Sequence, residues 1–201
     1  MITKMNKLRK EYNERAPLLK QLVVQAKQIL SREITRKKIR IHSLDGRVKG
    51  FSSFCDKIRR KSIEDPFHEV EDLVGLRVVC LFLSDLPKIA NIIRDSFQII
   101  REDNKIATIG ADIFGYLAVH FNVRLKEIHT DPQYSVLRDT TFEIQTRTIT
   151  HDAWASISHY LEYREPGRIP DHLKRDFYAI SGLFYVADTH FDLLRASDKL
   201  F

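Results

Sequence analysis

Cysteine is scarce in this 201-residue chain: Cys55 and Cys80 stand far apart, outside any CxxC pair. That usage fits a reducing cytoplasm, and Cys80, inside an apolar run, reads as a small buried hydrophobe. No run approaches the roughly 18 apolar residues of a membrane span. The opening MITKMNKLRKEYNERA lacks the apolar core of a signal peptide. Only 7 Gly and 6 Pro occur, with no interdomain linker, internal repeat or low-complexity segment among them. Walker-type GxxxxGK[ST], HExxH, GxSxG and GxGxxG are all absent, so P-loop, zinc, serine-hydrolase and Rossmann readings have no support. His151-Asp152 is an HD dipeptide, but no second His/Asp set at a matching spacing makes it a metal phosphohydrolase site.

What is present is a basic chain with enough apolar content for a core. Hydrophobic residues reach 43% and charged residues 30%, with a net charge of +6 and a pI near 9.3. The charge favours anionic partners such as nucleotides, nucleic acid or acidic surfaces, and non-specific basicity accounts for it equally. The length predicts one domain, residues 1–201.

Leu18, Leu19, Leu22, Val23, Ala26, Ile29 and Leu30 recur at helical spacing within a helix from Lys4 to about Lys38, with a break near Pro17 left open. An extended segment follows from Ile39 and ends at Asp45-Gly46. Ser52 or Ser53 then caps a helix to about Ser62. The apolar run Leu76–Phe82 predicts a central strand, and Ser84-Asp85 caps a helix from Leu86 to Phe97. A short strand is expected around Phe97–Arg101 and a loop over 102–115. Leu117–Lys126 alternates cleanly: Val119, Phe121, Val123 and Leu125 face one side, His120, Asn122 and Arg124 the other. Some strand is expected near Tyr134–Leu137, and a full strand over Thr141–Ile149 with Phe142, Ile144 and Thr146 inward. Helices at Thr150–Tyr163 and from Asp171 to about Leu200 complete the chain. The stripe Leu173, Phe177, Ile180, Phe184, Ala187, Phe191 and Leu194 is expected to be mostly core, with a subunit interface as the other use. The outcome is an α+β domain with a mixed, mostly antiparallel sheet flanked by helices.

Three constellations carry chemistry. Six of the fifteen residues Arg47–Lys61 are Lys or Arg. Arg47 and Lys49 share a side of an extended segment, and Ser53, Lys57 and Arg60 share a stripe of the following helix. Hydroxyl, cations and helix amides on one side grip a polyphosphate; a solvated basic face is the alternative. Asp72, at the mouth of a central strand, and Glu143, on a polar row with Gln145 and Arg147, could together hold Mg²⁺ against phosphates. For Asp72 the alternative is a turn residue, and for the row a solvent-facing surface. Tyr116 and His120 could stack a base and bond a phosphate or ribose, or simply pack.

In order and spacing, GRVKGFSSFCDKIRRK (46–61), EDLVGLRVVCLF (71–82), GYLAVHF (115–121) and FEIQTRTITHDAWASISHYLEY (142–163) resemble the RelA/SpoT synthetase family. The resemblance implies a nucleotidyltransferase-like fold: an N-terminal helical region (1–45), a catalytic core (46–163) and a C-terminal helix (171–201). It also implies a small stand-alone synthetase that moves the β,γ-diphosphate of ATP to the 3′-hydroxyl of GDP or GTP, making (p)ppGpp and AMP. By position, Asp72 and Glu143 would be catalytic and bind Mg²⁺, with Glu143 as general base. Arg47 and Arg77 would sandwich adenine, and Lys49, Ser53, Lys57 and Arg60 would hold the ATP phosphates. Tyr116 would stack on the acceptor base, with His120, Gln145 and Arg147 shaping the acceptor pocket.

Departures from the family pattern fall on the acceptor side. Leu117 replaces the Arg after Tyr, Phe114 replaces a small or polar residue, IATIGADIF lacks a Lys/Arg cluster, and Ser158-His159 replaces Glu-His. Adenine nucleotides and the tRNA 3′-CCA end, acceptors of toxic family members, therefore stay open beside GDP and GTP. A basic N-terminal helix suits tRNA. An antitoxin partner and a homo-oligomer are open as well; no membrane partner is expected. Retained Asp72 and Glu143 argue against a catalytically silent nucleotide sensor.

Overall fold

The computed structural model describes residues 2–104, 118–127, 135–163 and 169–197. Apolar residues every three or four positions build helix α1 (Ile2–Arg36), which buries Leu19, Leu22, Ala26, Ile29 and Leu30 against the sheet. The helix runs on through Pro17 without interruption. Packing on both sides of the proline, Tyr12 against Phe51 and Leu19 onward against the core, offsets the one backbone hydrogen bond that proline removes.

Strand β1 (Ile41–Val48) leads into α2 (Phe51–Lys61) and the one-turn α3 (Pro66–Glu69). Then come β2 (Val74–Cys80), a 3₁₀ turn at Leu83–Asp85, α4 (Leu86–Ser96), β3 (Phe97–Asn104) and β4 (Val119–Leu125). Short α5 (Ser135–Arg138), β5 (Phe142–Thr148), α6 (Ile149–Tyr163) and α7 (Asp171–Ser197) follow. The five strands form one sheet in the order β1-β2-β5-β4-β3. Among the described residues, only the β2–β5 pairing is parallel. This is the mixed, mostly antiparallel α+β architecture that the strand patterns predict.

Side-chain alternation gives the sheet two different faces. Gly46, Leu76, Ile144 and Phe121 stand side by side across four strands, and the three apolar ones are all but fully buried beneath α1 and α4. Gly46 is glycine because α1 crosses there: a Cβ would come within 2.7 Å of Val23 Cγ1. The opposite face carries the polar side chains. Two of its cross-strand rows are Asp45–Arg77–Gln145–His120 and Arg47–Gly75–Glu143–Asn122.

Four expectations need correction. Asp45-Gly46 does not end the first extended segment, because both residues pair with β2, opposite Arg77 and Leu76. Neither Ser52 nor Ser53 caps α2; Gly50 stands at the cap and both serines lie in the first turn. The stretch near Tyr134–Leu137 is helical rather than extended where it is described, as α5. The apolar stripe of α7 is mostly not core: Phe177 is buried, whereas Leu173, Ile180, Phe191 and Leu194 are exposed. The inner line of α7 is instead polar. Asp188 bonds Thr148 and His151, Asp192 accepts from Ser84, and Arg195 donates to the buried Asp85. No described helix is long and apolar enough to cross a membrane.

Both cysteines lie in the core, and burial raises each thiol, Cys80 to about 12 with Asp85 adding to the effect. Neither thiol forms thiolate appreciably at neutral pH. Ellman's reagent is expected to leave both unmodified in the folded protein and to titrate both after guanidinium unfolding. A cysteine that reacts at its free-solution rate before unfolding contradicts this burial.

Candidate functional site

The β1–α2 junction builds the basic wall. The Lys49 amide donates to the Leu73 carbonyl at 2.8 Å, which draws the end of β1 alongside the entry to β2. Tyr12 of α1 locks the same turn, its hydroxyl donating to the Lys49 carbonyl at 2.7 Å while its ring packs on Phe51 and Phe54. Gly50 caps α2 without any side-chain hydrogen bond among the described residues. The first-turn amides of α2 therefore remain donors for an anion, beside the Ser53 hydroxyl.

Asp72 sits between two lysines from this wall, 3.1 Å from Lys49 and 2.7 Å from Lys57. Burial pushes its carboxyl up, but the Lys57 hydrogen bond and the two lysine charges outweigh that and hold it below its ordinary value. Glu143 lies on β5, paired with Gly75 of β2. His120 Nδ1 reaches its Oε1 at 3.1 Å, and Gln145 donates to Oε2 at 2.8 Å. Burial raises the Glu143 carboxyl and the charge of Asp72 raises it further, yet His120 and Gln145 prevail and the net shift is downward. Both carboxylates are thus ionised at neutral pH and near enough to feel one another.

Arg47, Lys49, Ser53, Lys57, Arg60, Asp72, Arg77, His120, Gln145 and Arg147 line a single cleft of about 940 Å³ over the polar sheet face. Glu143 lines an adjoining hollow of about 320 Å³ that shares Asp72, Arg77 and Gln145 with the cleft. The fold therefore gathers the candidate residues named from the sequence. Tyr116, like Phe114 and Leu117, lies outside the described residues.

Four further residues contribute. Asp152, from the first turn of α6, lies 3.1 Å from both Arg77 and Arg147. Ser156 and His159, farther along α6, also line the cleft. Tyr12 acts through Lys49. Asp152 belongs to the HD dipeptide, and its position shortly after the strand that bears Arg147 is the signal the sequence offers.

Fold and cleft together define an α+β domain that presents clustered cations and two ionised carboxylates on one sheet face. The chain belongs to the RelA/SpoT family: the family model described as a region found in RelA / SpoT proteins matches residues 46–168. A curated relative, the GTP pyrophosphokinase YjbM of Bacillus subtilis (strain 168), is 35% identical over 139 residues. That alignment covers 67% of this chain and 62% of the relative, so it spans less than two thirds of the relative's length. The crystal structure of small alarmone synthetase 1 from Bacillus subtilis superposes with a TM-score of 0.76 and 25% identity, covering 96% of this chain and all of that one. The same synthetase bound to AMPCPP gives a TM-score of 0.66 and 25% identity over 94% of this chain and 98% of that one.

Proposed function

We propose that this chain is an ATP-dependent pyrophosphokinase that transfers the β,γ-diphosphate of ATP to the 3′-hydroxyl of GDP or GTP, releasing AMP and forming (p)ppGpp. The observation that carries this reading is the clustering of Lys49, Lys57 and Arg60 with Asp72 and Glu143 over one sheet face. The named activity of the 35% identical relative and the ATP analogue held by the structural neighbour support it.

In this reading Lys49, Ser53, Lys57, Arg60 and the first-turn amides of α2 hold the triphosphate, neutralising charge where it develops. Arg47 and Arg77 are diagonal neighbours on the polar face of an antiparallel pair. Such positions stand roughly 7–8 Å apart, enough to take a flat base between two guanidinium planes. His120, Gln145 and Arg147 shape the acceptor side, together with Tyr116. Attack by the 3′-oxygen forms a bond to the β-phosphorus and breaks the bond from that phosphorus to the oxygen bridging the α-phosphate. AMP leaves with that oxygen. The hydroxyl proton passes to Glu143, ionised and held in orientation by His120 and Gln145.

A divalent cation fits the donor set. Asp72 and Glu143 supply hard carboxylate oxygens within electrostatic reach of each other. No group of three or more potential ligands is assembled among the described residues. Such a pair suits Mg²⁺, which takes few protein oxygens and completes its shell with water and phosphate. Bound there, the cation would supply charge neutralisation on the transferred phosphates.

The test is β- or γ-labelled ATP with Mg²⁺ and, separately, GDP, GTP, ADP, ATP and deacylated tRNA. Label is expected on the guanosine nucleotides, with matching AMP. Label only on tRNA, or only on adenine nucleotides, overturns the guanosine acceptor. Absence of AMP with every acceptor overturns the enzyme itself.

A further inference from the structure

Asp152 has no place in the transfer step just described, yet it stands where two cleft arginines meet. One oxygen, Oδ1, is 3.1 Å from Arg77 Nη1 and 3.1 Å from Arg147 Nε. The two cations belong to neighbouring strands, paired in parallel. A single carboxylate thus ties β2 to β5 across the floor of the cleft.

The contacts continue along β5. Arg147 Nη2 donates to Gln145 Oε1 at 3.0 Å, and Gln145 Nε2 donates to Glu143 Oε2 at 2.8 Å. Residues 143, 145 and 147 alternate onto one face, so the three side chains form a continuous row. The row has a direction. A guanidinium can only donate, so it claims the Gln145 carbonyl oxygen and turns the amide nitrogen towards Glu143. Holding Arg147 in place therefore fixes which way Gln145 points and which oxygen of Glu143 is occupied.

Asp152 is itself held from behind. Thr148 Oγ1 accepts from the His151 amide, closing the first turn of α6. The same hydroxyl donates to Asp188 Oδ2 of α7 at 2.6 Å, and His151 Nδ1 lies 2.8 Å from that oxygen. Thr148, His151 and Asp188 are all fully buried. Helix α7 thereby fixes the turn from which Asp152 projects.

We infer that Asp152 is a positioning residue of the transfer reaction. It clamps Arg77 on the ATP side and, through Arg147 and Gln145, sets the orientation of Glu143. This rests on the pyrophosphokinase reading above. The clamp touches neither reacting centre, so its loss weakens both ATP capture and turnover, where a purely architectural aspartate would affect only the amount of folded protein.

The experiment compares wild type, Asp152→Asn and Asp152→Glu by thermal unfolding, by calorimetric binding of AMPCPP, and by steady-state kinetics with ATP and GDP varied in turn. Asp152→Asn is expected to keep its unfolding midpoint within a few degrees. It should bind AMPCPP at least about tenfold more weakly, raise the KM for ATP by a similar factor and lower kcat about tenfold. Asp152→Glu restores the charge and should recover most of both losses. It also stands in as the test variant should the Asn variant fail to fold, its AMPCPP affinity then falling between wild type and none. Wild-type AMPCPP affinity and KM in a folded Asp152→Asn protein overturn the inference. So does a drop in kcat that merely tracks lost folded protein with KM unchanged. A wild-type protein that takes up no AMPCPP overturns the pyrophosphokinase reading, and the inference with it.

Discussion

Asp72→Ala and Glu143→Ala each abolish AMP release from ATP while the protein stays folded. For Glu143 the loss is that of a general base, about 10²–10⁴-fold, and more if the carboxylate also shares a cation. For Asp72 the loss comes from the phosphate end. Lys49 and Lys57 flank its two oxygens at 3.1 and 2.7 Å. Without the carboxylate they face each other as like charges in the pocket that positions the transferred diphosphate. These side chains are 17%, 18% and 25% exposed, so solvent screens part of the penalty. A fully buried ion pair that loses one partner costs about 3–5 kcal/mol; here on the order of 1–2 kcal/mol is expected, too little to unfold a domain of this size. Circular dichroism and thermal unfolding separate the two effects. A folded Asp72→Ala or Glu143→Ala protein with wild-type AMP release would show that the chemistry lies elsewhere.

The site was legible in the sequence to the extent that it rests on short-range geometry. Ser53, Lys57 and Arg60 fall on one helical stripe whatever the helix packs against, and residues 143, 145 and 147 share a face of any extended strand. The sheet's composition followed from β4 in the same way: Val119, Phe121, Val123 and Leu125 are buried, as their alternation requires. What the sequence hid depends on partners far along the chain. Asp152 acquires its role only when the parallel β2–β5 register brings Arg77 beside Gln145 and Arg147. On α7 hydrophobicity does not mark the buried face. Ser181 and Asp188 are buried there, with Asp192 and Arg195 bonded to Ser84 and Asp85 more than a hundred residues away. Polar side chains with a buried partner pack inward as readily as leucines, and that partner is invisible to helical periodicity. At α2 the difference is local: Gly50 takes the cap position, which leaves Ser53 in the first turn, lining the cleft.

Gly75→Val is expected to stop the reaction without harming the fold. Gly75 lies in the floor of the adjoining hollow, between Arg47 on β1 and Glu143 on β5. Neither reason usually given for a glycine applies to it. Its backbone is not in the left-handed region, and a Cβ built there meets no described heavy atom within 4 Å. Gly46 is the counter-case one strand away and on the other face, where the same Cβ would press on Val23 of α1 at 2.7 Å. A valine at position 75 should therefore be neutral or stabilising by up to about 1 kcal/mol, because strand interiors favour β-branched residues over glycine. A valine at position 46 should destabilise by about 1–3 kcal/mol, since α1 must shift to admit it. The space above Gly75 is open to the hollow that Asp72, Arg77 and Glu143 line, so the added isopropyl group occupies room a bound nucleotide needs. A displacement of even about 1 Å between reacting groups costs near 10²-fold, and a branched side chain in this position displaces more. Thermal unfolding, AMPCPP binding and AMP release on the two variants separate the roles. The expected pattern is a wild-type midpoint with no turnover for Gly75→Val, and a lowered midpoint with turnover intact in the folded fraction for Gly46→Val. A Gly75→Val protein that turns over normally would mean that substrate does not cross this part of the sheet, and the placement of adenine between Arg47 and Arg77 would have to be abandoned.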